Sequence, residues 1–285
     1  MPNSENILRP LILISYGRSG TSLVQAAFEE RGDCFTCGET GELISKIWSG
    51  VEFSGENSLI NVSQHSLPPI QHYALAVRSV FLDLFASEKP IWFQKPIGVS
   101  SEWLEKIQLI GEDKAADWYW TMLAETFPEA RFFTILRNPY DVAVSAKAYW
   151  KLGEWMIWEQ MRIIAKFIMH PKSRIDYAIS FDDLNQSFDE EMARLCSHLN
   201  LSSSPRMKSA KEVRHVPSHL SGSGRQVDYK VRWAELVDAP HVDDALRDIE
   251  LVWQRFGYQF ERKSRWISLQ KNVSGEANPL MEKLA

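Results

Sequence analysis

Long apolar segments, clusters of basic residues and cysteines are all scarce in this chain of 285 residues. No apolar run approaches the roughly 20 residues that a helix needs to cross a bilayer. No basic and apolar leader is visible at the N-terminus. We therefore expect a soluble cytoplasmic protein that has no membrane partner.

Basic residues are too dispersed for general binding to nucleic acid. The formal net charge is -5, and no run of Lys and Arg offers a stripe that could follow a phosphate backbone. Any anionic ligand must therefore be held by a local site. We expect no nucleic-acid partner.

The odd number of cysteines, Cys34, Cys37 and Cys196, does not suggest a disulfide framework. Cys34 and Cys37 have the spacing of a zinc or redox pair, but no second pair of Cys or His at matching spacing follows them. We interpret them as packing residues at a strand end, with a redox role as the alternative. We expect no metal site.

Apolar residues, by contrast, are plentiful: 45% of the chain is hydrophobic and 12% is aromatic, which is ample for a buried core. Strand-like runs recur, with helical periodicity between them, at 10–15, 33–37, 90–94, 131–136 and 175–180. This alternation predicts an α/β fold with helices on both faces of a central parallel sheet. A single domain over residues 1–285 fits better than two domains.

Within that domain we expect a core of about 9–260 and a flexible tail at 273–285. Two segments rich in Ser, Asn, Gly and Pro, 54–69 and 217–226, are predicted loops. Because ligands of parallel sheets bind beyond the carboxyl ends of the strands, the residues just after each run are the candidates for a site.

The stretch LILISYGRSGTSLVQAAFEE, residues 11–30, has the layout of a phosphate-binding loop between a strand and a helix. Backbone N–H groups at the helix start form an anion hole, to which the hydroxyls of Ser19, Thr21 and Ser22 add donors. Arg18 contributes a full charge. Thr21 stands where an ATP-binding loop has its lysine, which suits a less charged ligand without an obligatory metal.

A second phosphate motif is predicted in FFTILRNPYDVAVSAKAYW. Arg137 ends a strand, Asn138 can cap the next helix, Pro139 takes its first position, and Asp141 completes a start like a capping box. Ser145 follows two turns into that helix. Together with Arg137, it could converge on a phosphate at the same side of the sheet.

Taken together, YGRSGTS and RNPYDVAVS resemble the 5′-phosphosulfate loop and the 3′-phosphate motif of sulfotransferases, in the family's order and roughly at its distance. ISFDDLNQSFDEEMARLCSHLNL and GSGRQVDYKVRW extend the similarity over roughly 9–260, weakest at 49–113. The resemblance implies a P-loop-like fold that uses 3′-phosphoadenosine 5′-phosphosulfate (PAPS) as co-substrate. It also implies adenosine 3′,5′-bisphosphate (PAP) as product, and no metal.

The resemblance also implies which residues bind the donor. The 5′ end would be held by Arg18, Ser19, Gly20, Thr21 and Ser22. The 3′-phosphate would be held by Arg137 and Ser145. The candidates to close over the nucleotide are Ser223, Arg225, Lys230 and Arg232.

Sulfuryl transfer needs a base near the acceptor hydroxyl and positive charge on the departing oxygen. CGETGEL resembles the CGEE segment of tyrosylprotein sulfotransferases, which implies Glu39 as the base, with Glu42 as the alternative. Other branches of the family use histidine, so the candidates in or near the predicted loops are His65, His72, His215 and His219.

The lysine of the family is represented by Lys95, which follows a strand in PIWFQKPIG. Lys114 keeps the family's distance to the segment FPEARF better but lacks the preceding strand, so we favour Lys95. Arg18 is expected to share with Lys95 the stabilisation of the departing oxygen.

We therefore expect direct in-line transfer from PAPS to a hydroxyl or amine of a small-molecule acceptor. A ring-bearing acceptor would suit the aromatic cluster of Trp118, Tyr119, Trp120, Tyr149, Trp150, Trp155 and Trp158. Two alternatives stay open, a small-molecule kinase on the same fold and a non-catalytic nucleotide-binding protein. Thr21 in the lysine position argues against the kinase.

Overall fold

A five-stranded parallel sheet forms the centre of the protein. The structure is a computed structural model, and it describes residues 9–56, 70–84, 88–96, 99–210 and 229–263. The strands are β1 Arg9–Leu13, β2 Cys34–Thr36, β3 Ile91–Gln94, β4 Arg131–Leu136 and β5 Ile175–Ser180. Their order is β2-β3-β1-β4-β5, and all four pairings are parallel. The predicted α/β fold with a parallel sheet is thus confirmed. The assignment of the whole chain to one domain stays a prediction.

Helices connect the strands. They are α1 Thr21–Glu30, α2 Gly41–Glu56, α3 Ile70–Leu84, α4 Ser101–Ile110, α5 Glu112–Thr126, α6 Pro139–Trp150, α7 Glu154–Met169, α8 Phe181–Gln186, α9 Phe188–His198 and α10 Pro240–Arg255. Two 3₁₀ helices cover Pro205–Ser209 and Tyr229–Glu235. No helix in the described ranges is long and apolar enough to span a membrane.

The predicted loop at 54–69 is wrong at its start, because α2 continues to Glu56. An established helix propagates through weak helix formers such as the Ser and Gly found there. The remainder of that segment, the predicted loop at 217–226 and the tail at 273–285 lie outside the described residues.

Both faces of the sheet are buried. Successive side chains of a strand point to opposite faces, so Leu11 and Leu13 join one cluster while Ile12 joins the other. The first cluster includes residues of α1, α8 and α9, and the second includes residues of α2 to α7 and α10. The central strands β1, β3 and β4 were recognisable because they are largely apolar on both faces.

The aromatic cluster divides between the core and the surface. Tyr119, Trp120 and Trp158 are fully buried and pack in the core. Tyr149 and Trp150, at the end of α6, are exposed and lie beside the carboxyl edge of β1. Of the remaining two, Trp118 is half-buried in α5, and Trp155 is exposed in the first turn of α7.

The cysteines are free thiols and pack in the interior. Burial raises the pKa of both Cys34 and Cys37 to about 12, and the indole N–H of Trp92 donates to Cys37 Sγ at 2.9 Å. Since a thiolate is the reactive form, neither side chain is prepared for redox chemistry. In the described ranges, no group of three His, Cys, Asp or Glu side chains could hold a metal ion.

Candidate active site

The loop after β1 turns back on itself and aims the start of α1 at the carboxyl edge of the sheet. Arg18 and Gly20 adopt φ angles of 69° and 102°, both in the left-handed region. A Cβ atom at Gly20 would overlap the ring of Phe181, so only glycine fits there. The first N–H groups of α1 lie at this edge next to the buried residues Ser19 and Thr21, an arrangement of donors of the kind that can bind an anion.

The loop after β4 begins α6 as predicted. Asn138 is the N-cap and accepts a hydrogen bond from the Tyr140 N–H at 3.0 Å, while Pro139 is the first helical residue. The carboxylate of Asp141 accepts from the Trp233 indole at 2.7 Å. This contact joins α6 to the 3₁₀ helix Tyr229–Glu235 and fixes the face of α6 that presents Ser145.

Because β1 and β4 are neighbours in the sheet, the two predicted phosphate motifs meet. Arg18 Nε donates to Ser145 Oγ at 3.1 Å, and Arg137 Nη1 donates to the carbonyl oxygen of Arg18 at 2.8 Å. The Arg18 guanidinium lies 4.2 Å from the ring centre of Tyr149, and that of Arg137 lies 4.4 Å from Phe181. Both arginines are therefore oriented by aromatic rings as well as by hydrogen bonds.

The proposed base and lysine also meet, at the ends of the neighbouring strands β2 and β3. Lys95 Nζ lies 3.6 Å from Glu39 Oε1 and donates to Ser22 Oγ at 3.2 Å. The Lys95 side chain is only 6% exposed, whereas that of Glu39 is 63% exposed. Lys95 thus links the carboxylate to the first turn of α1.

A buried hydrogen bond holds the two strand ends together beneath this pair. Thr40 Oγ1 donates to Gln94 Oε1 at 2.6 Å, and the Lys95 N–H donates to the Gly38 carbonyl at 3.0 Å. Thr40 and Gln94 are the immediate chain neighbours of Glu39 and Lys95, and both are fully buried. Sequence reasoning missed this bond, although Gln94 is a polar residue that ends an otherwise apolar strand.

The alternative carboxylate, Glu42, is engaged elsewhere. Its Oε2 accepts from the Ser101 N–H at 2.9 Å, and its Oε1 accepts from the Ser101 hydroxyl and lies 2.9 Å from Lys46 Nζ. Burial raises the pKa of Glu42, but the hydrogen bonds from Ser101 and Lys46 outweigh burial and hold the pKa below its ordinary value. Glu42 is thus a weaker base that joins α2 to the start of α4.

The other candidates lie elsewhere or outside the description. Lys114 is an exposed residue of α5, and Arg232 pairs with Glu235 at 3.1 Å on the 3₁₀ helix beside α6. The structure describes the backbone of Lys230 and His72 but not their side chains. Five further candidates lie entirely outside the described residues: His65, His215, His219, Ser223 and Arg225.

An open cavity of about 330 Å³ adjoins Glu39. Its lining residues are Tyr16, Gly17, Glu39, Glu42, Val99, Ser100, Trp150, Leu152 and Gln160. The Trp150 ring meets the Tyr16 ring edge to face, with centres 5.7 Å apart. The cavity therefore has an aromatic wall and a carboxylate rim, and its volume suits a small organic molecule.

A solved structure shares this architecture. The sulfotransferase domain of an olefin synthase from Synechococcus superposes with a TM-score of 0.52 at 14% identity, covering 89% of this chain and 96% of that one. A sulfotransferase from Mycobacterium avium superposes with a TM-score of 0.47 at 12% identity, covering 90% of this chain and 78% of that one. No curated protein sequence matches the chain.

The sequence profile described as the sulfotransferase family matches residues 10–205. This range is more than half of the chain and contains both phosphate motifs and the Glu39 and Lys95 pair. The chain therefore belongs to the sulfotransferase family.

Proposed function

We propose that this protein transfers a sulfuryl group from PAPS to a hydroxyl or amine of a small-molecule acceptor. The observation that carries the proposal is the pair of Glu39 and Lys95, 3.6 Å apart, between the anion-binding loop and the cavity of about 330 Å³. A carboxylate and a buried ammonium in that position are the base and the cation that sulfuryl transfer requires.

The residues at the carboxyl edge fit PAPS in both charge and donor chemistry. Arg18, the α1 N–H groups and the hydroxyls of Ser19, Thr21 and Ser22 suit the 5′-phosphosulfate. Arg137 and Ser145 suit the 3′-phosphate. Ser145 Oγ accepts from Arg18, so its own hydroxyl proton is available to a phosphate oxygen.

When bound, PAPS supplies a sulfuryl group whose transfer makes a bond from sulfur to the acceptor oxygen or nitrogen and breaks the S–O bond to the 5′-phosphate. Glu39 accepts the proton of the acceptor hydroxyl. Lys95 and Arg18 stabilise the negative charge on the departing phosphate oxygen. Because Lys95 is buried, its charge is less screened by water than that of a surface lysine.

The first test is calorimetric binding of PAP and of ADP with Mg²⁺. We expect PAP to bind more tightly, and Ser145→Ala to weaken PAP about tenfold, because a charge-assisted hydrogen bond contributes about 1.5 kcal/mol or more. Binding of ADP, which lacks a 3′-phosphate, should change less than binding of PAP. Both Ser145 and Arg137 also contact Arg18, but Ser145→Ala removes a hydroxyl and no charge, so it is the milder change.

The second test is turnover with PAPS and a panel of phenols, alcohols and amines. Glu39→Gln should abolish turnover and leave PAP binding intact, whereas the control Glu102→Gln, on α4 outside the cavity lining, should retain both. Tighter binding of ADP would favour a kinase. Binding of PAP without turnover would favour a non-catalytic protein, and binding of neither nucleotide would refute the donor assignment.

A further inference from the structure

The cavity beside Glu39 has a one-sided distribution of charge. Among the described residues that line it, Glu39 and Glu42 are the charged ones, and their side chains are 63% and 46% exposed. The cations beside these two carboxylates have contacts of their own: Lys46 Nζ lies 2.9 Å from Glu42 Oε1, and Lys95 Nζ, 3.6 Å from Glu39 Oε1, also donates to Ser22 Oγ on α1. Among the described residues, the charged groups that line the cavity are therefore both carboxylates.

Binding of a donor increases this asymmetry. In the proposed reaction, Lys95 and Arg18 neutralise part of a polyanionic donor beside the cavity. Their charge is then less available to an acceptor, while Glu39 and Glu42 keep theirs. An acceptor that carries a carboxylate or phosphate would be repelled from both sides.

The rest of the lining suits a compound with a flat apolar part. Tyr16 and Trp150 form the aromatic wall, and Val99 and Leu152 add aliphatic surface. Aromatic faces also attract a cation that lies over them. Apolar walls and a carboxylate rim together match a ring that carries a protonated amine.

Glu42 has room for such an ammonium. An ionised carboxylate offers about four acceptor positions. Three are taken, by the N–H and hydroxyl of Ser101 and by Lys46. The remaining position belongs to a side chain that is nearly half exposed on the cavity rim.

We propose that the acceptor is a ring-bearing hydroxy compound with a protonated amine, whose hydroxyl lies at Glu39 and whose ammonium is held by Glu42. This assignment rests on the proposed function. In addition, the site selects acceptors by charge: a cationic acceptor binds more tightly than a neutral one, and a neutral acceptor binds more tightly than an anionic one.

The test uses three phenols that differ only at the end of a two-carbon arm: tyramine (ammonium), tyrosol (hydroxyl) and 4-hydroxyphenylacetate (carboxylate). Binding of each to the complex of the full chain with PAP is measured by calorimetry, and kcat/KM is measured with PAPS. We expect the affinity and kcat/KM of tyramine to exceed those of tyrosol about fivefold, because an exposed ion pair contributes at most about that factor. They should exceed those of 4-hydroxyphenylacetate by more than about tenfold.

Two variants locate the effect. Glu42→Gln should remove the preference for tyramine over tyrosol, because the amide still accepts from Ser101 but carries no charge. Glu102→Gln removes a nearby charge outside the cavity lining and should preserve the preference. Equal affinities for the three phenols, a preference for the carboxylate, or no binding of any of them to the PAP complex would overturn the assignment. Failure of PAP itself to bind would instead refute the proposed function.

Discussion

The buried hydrogen bond from Thr40 to Gln94 allows a sharp test of what holds the active site together. Thr40→Val keeps the shape of the side chain and removes the donor to Gln94 Oε1, which lies 2.6 Å away. Gln94 is 0% exposed, so water cannot replace the lost partner. Leaving a buried polar group unsatisfied costs about 1 to 3 kcal/mol, and we expect the free energy of unfolding to fall by that amount.

Thr134→Val is the matched control. Thr134 is also 0% exposed and lies in β4, but its hydroxyl has no hydrogen-bond partner among the described residues. The same substitution there removes a hydroxyl whose burial is uncompensated, so stability should stay equal or rise. Urea unfolding followed by tryptophan fluorescence gives both free energies.

The hydrogen bond can also be tested by its effect on kcat. Because Thr40 and Gln94 adjoin Glu39 and Lys95 in the chain, Thr40→Val should lower kcat more than it weakens PAP, and Thr40→Ser should restore kcat. Equal losses of stability in Thr40→Val and Thr134→Val would show that the hydrogen bond to Gln94 makes no specific contribution to stability. A stable Thr40→Val protein with normal kcat would refute the positioning role.

Three further predictions concern stability. Tyr16→Phe should leave the free energy of urea unfolding unchanged or raise it, because the buried Tyr16 hydroxyl has no hydrogen-bond partner among the described residues; a loss above about 1 kcal/mol would contradict this. Gly20→Ala should cost about 1 to 3 kcal/mol and weaken PAP, through its φ of 102° and the overlap with Phe181; normal binding in calorimetry would contradict the loop geometry. Hydrogen bonds from Arg162 lower the pKa of Glu112 from 4.5 to about 2. This stabilisation is present above pH 4.5 and is lost as the pH falls towards 2, so Glu112→Gln should cost about 1 to 2 kcal/mol at pH 7 and less at pH 3.

The sequence was informative wherever one local pattern decides the structure. The central strands β1, β3 and β4 were recognisable because they are apolar runs whose side chains are mostly buried on both faces, and the parallel orientation of the strands follows from the helices between them. The start of α6 at Asn138 and Pro139 was readable from capping rules alone. Parallel strands also bring their carboxyl ends to one edge, which is why Glu39 and Lys95 meet.

Contacts between distant segments were not predictable in this way. The bond from Thr40 to Gln94 joins residues 54 positions apart, and the bond from Arg137 to the Arg18 carbonyl joins residues 119 apart. Neither leaves a periodic signal in the chain. The same holds for Trp150, whose place on the cavity wall depends on how α6 packs beside the loop after β1.

The turn between α6 and α7 carries cavity-lining residues that are separate in the chain from the residues proposed to bind the donor. Arg18, Lys95 and Arg137 follow strands of the sheet, whereas Trp150 and Leu152 flank a turn residue with a φ of 54°. Turns accept substitution and insertion more readily than the elements they join. Under the proposed function, new acceptor ranges can therefore arise by exchanging residues 150–153 while the residues proposed to bind PAPS stay unchanged, and a library for redirected sulfation should begin at this turn.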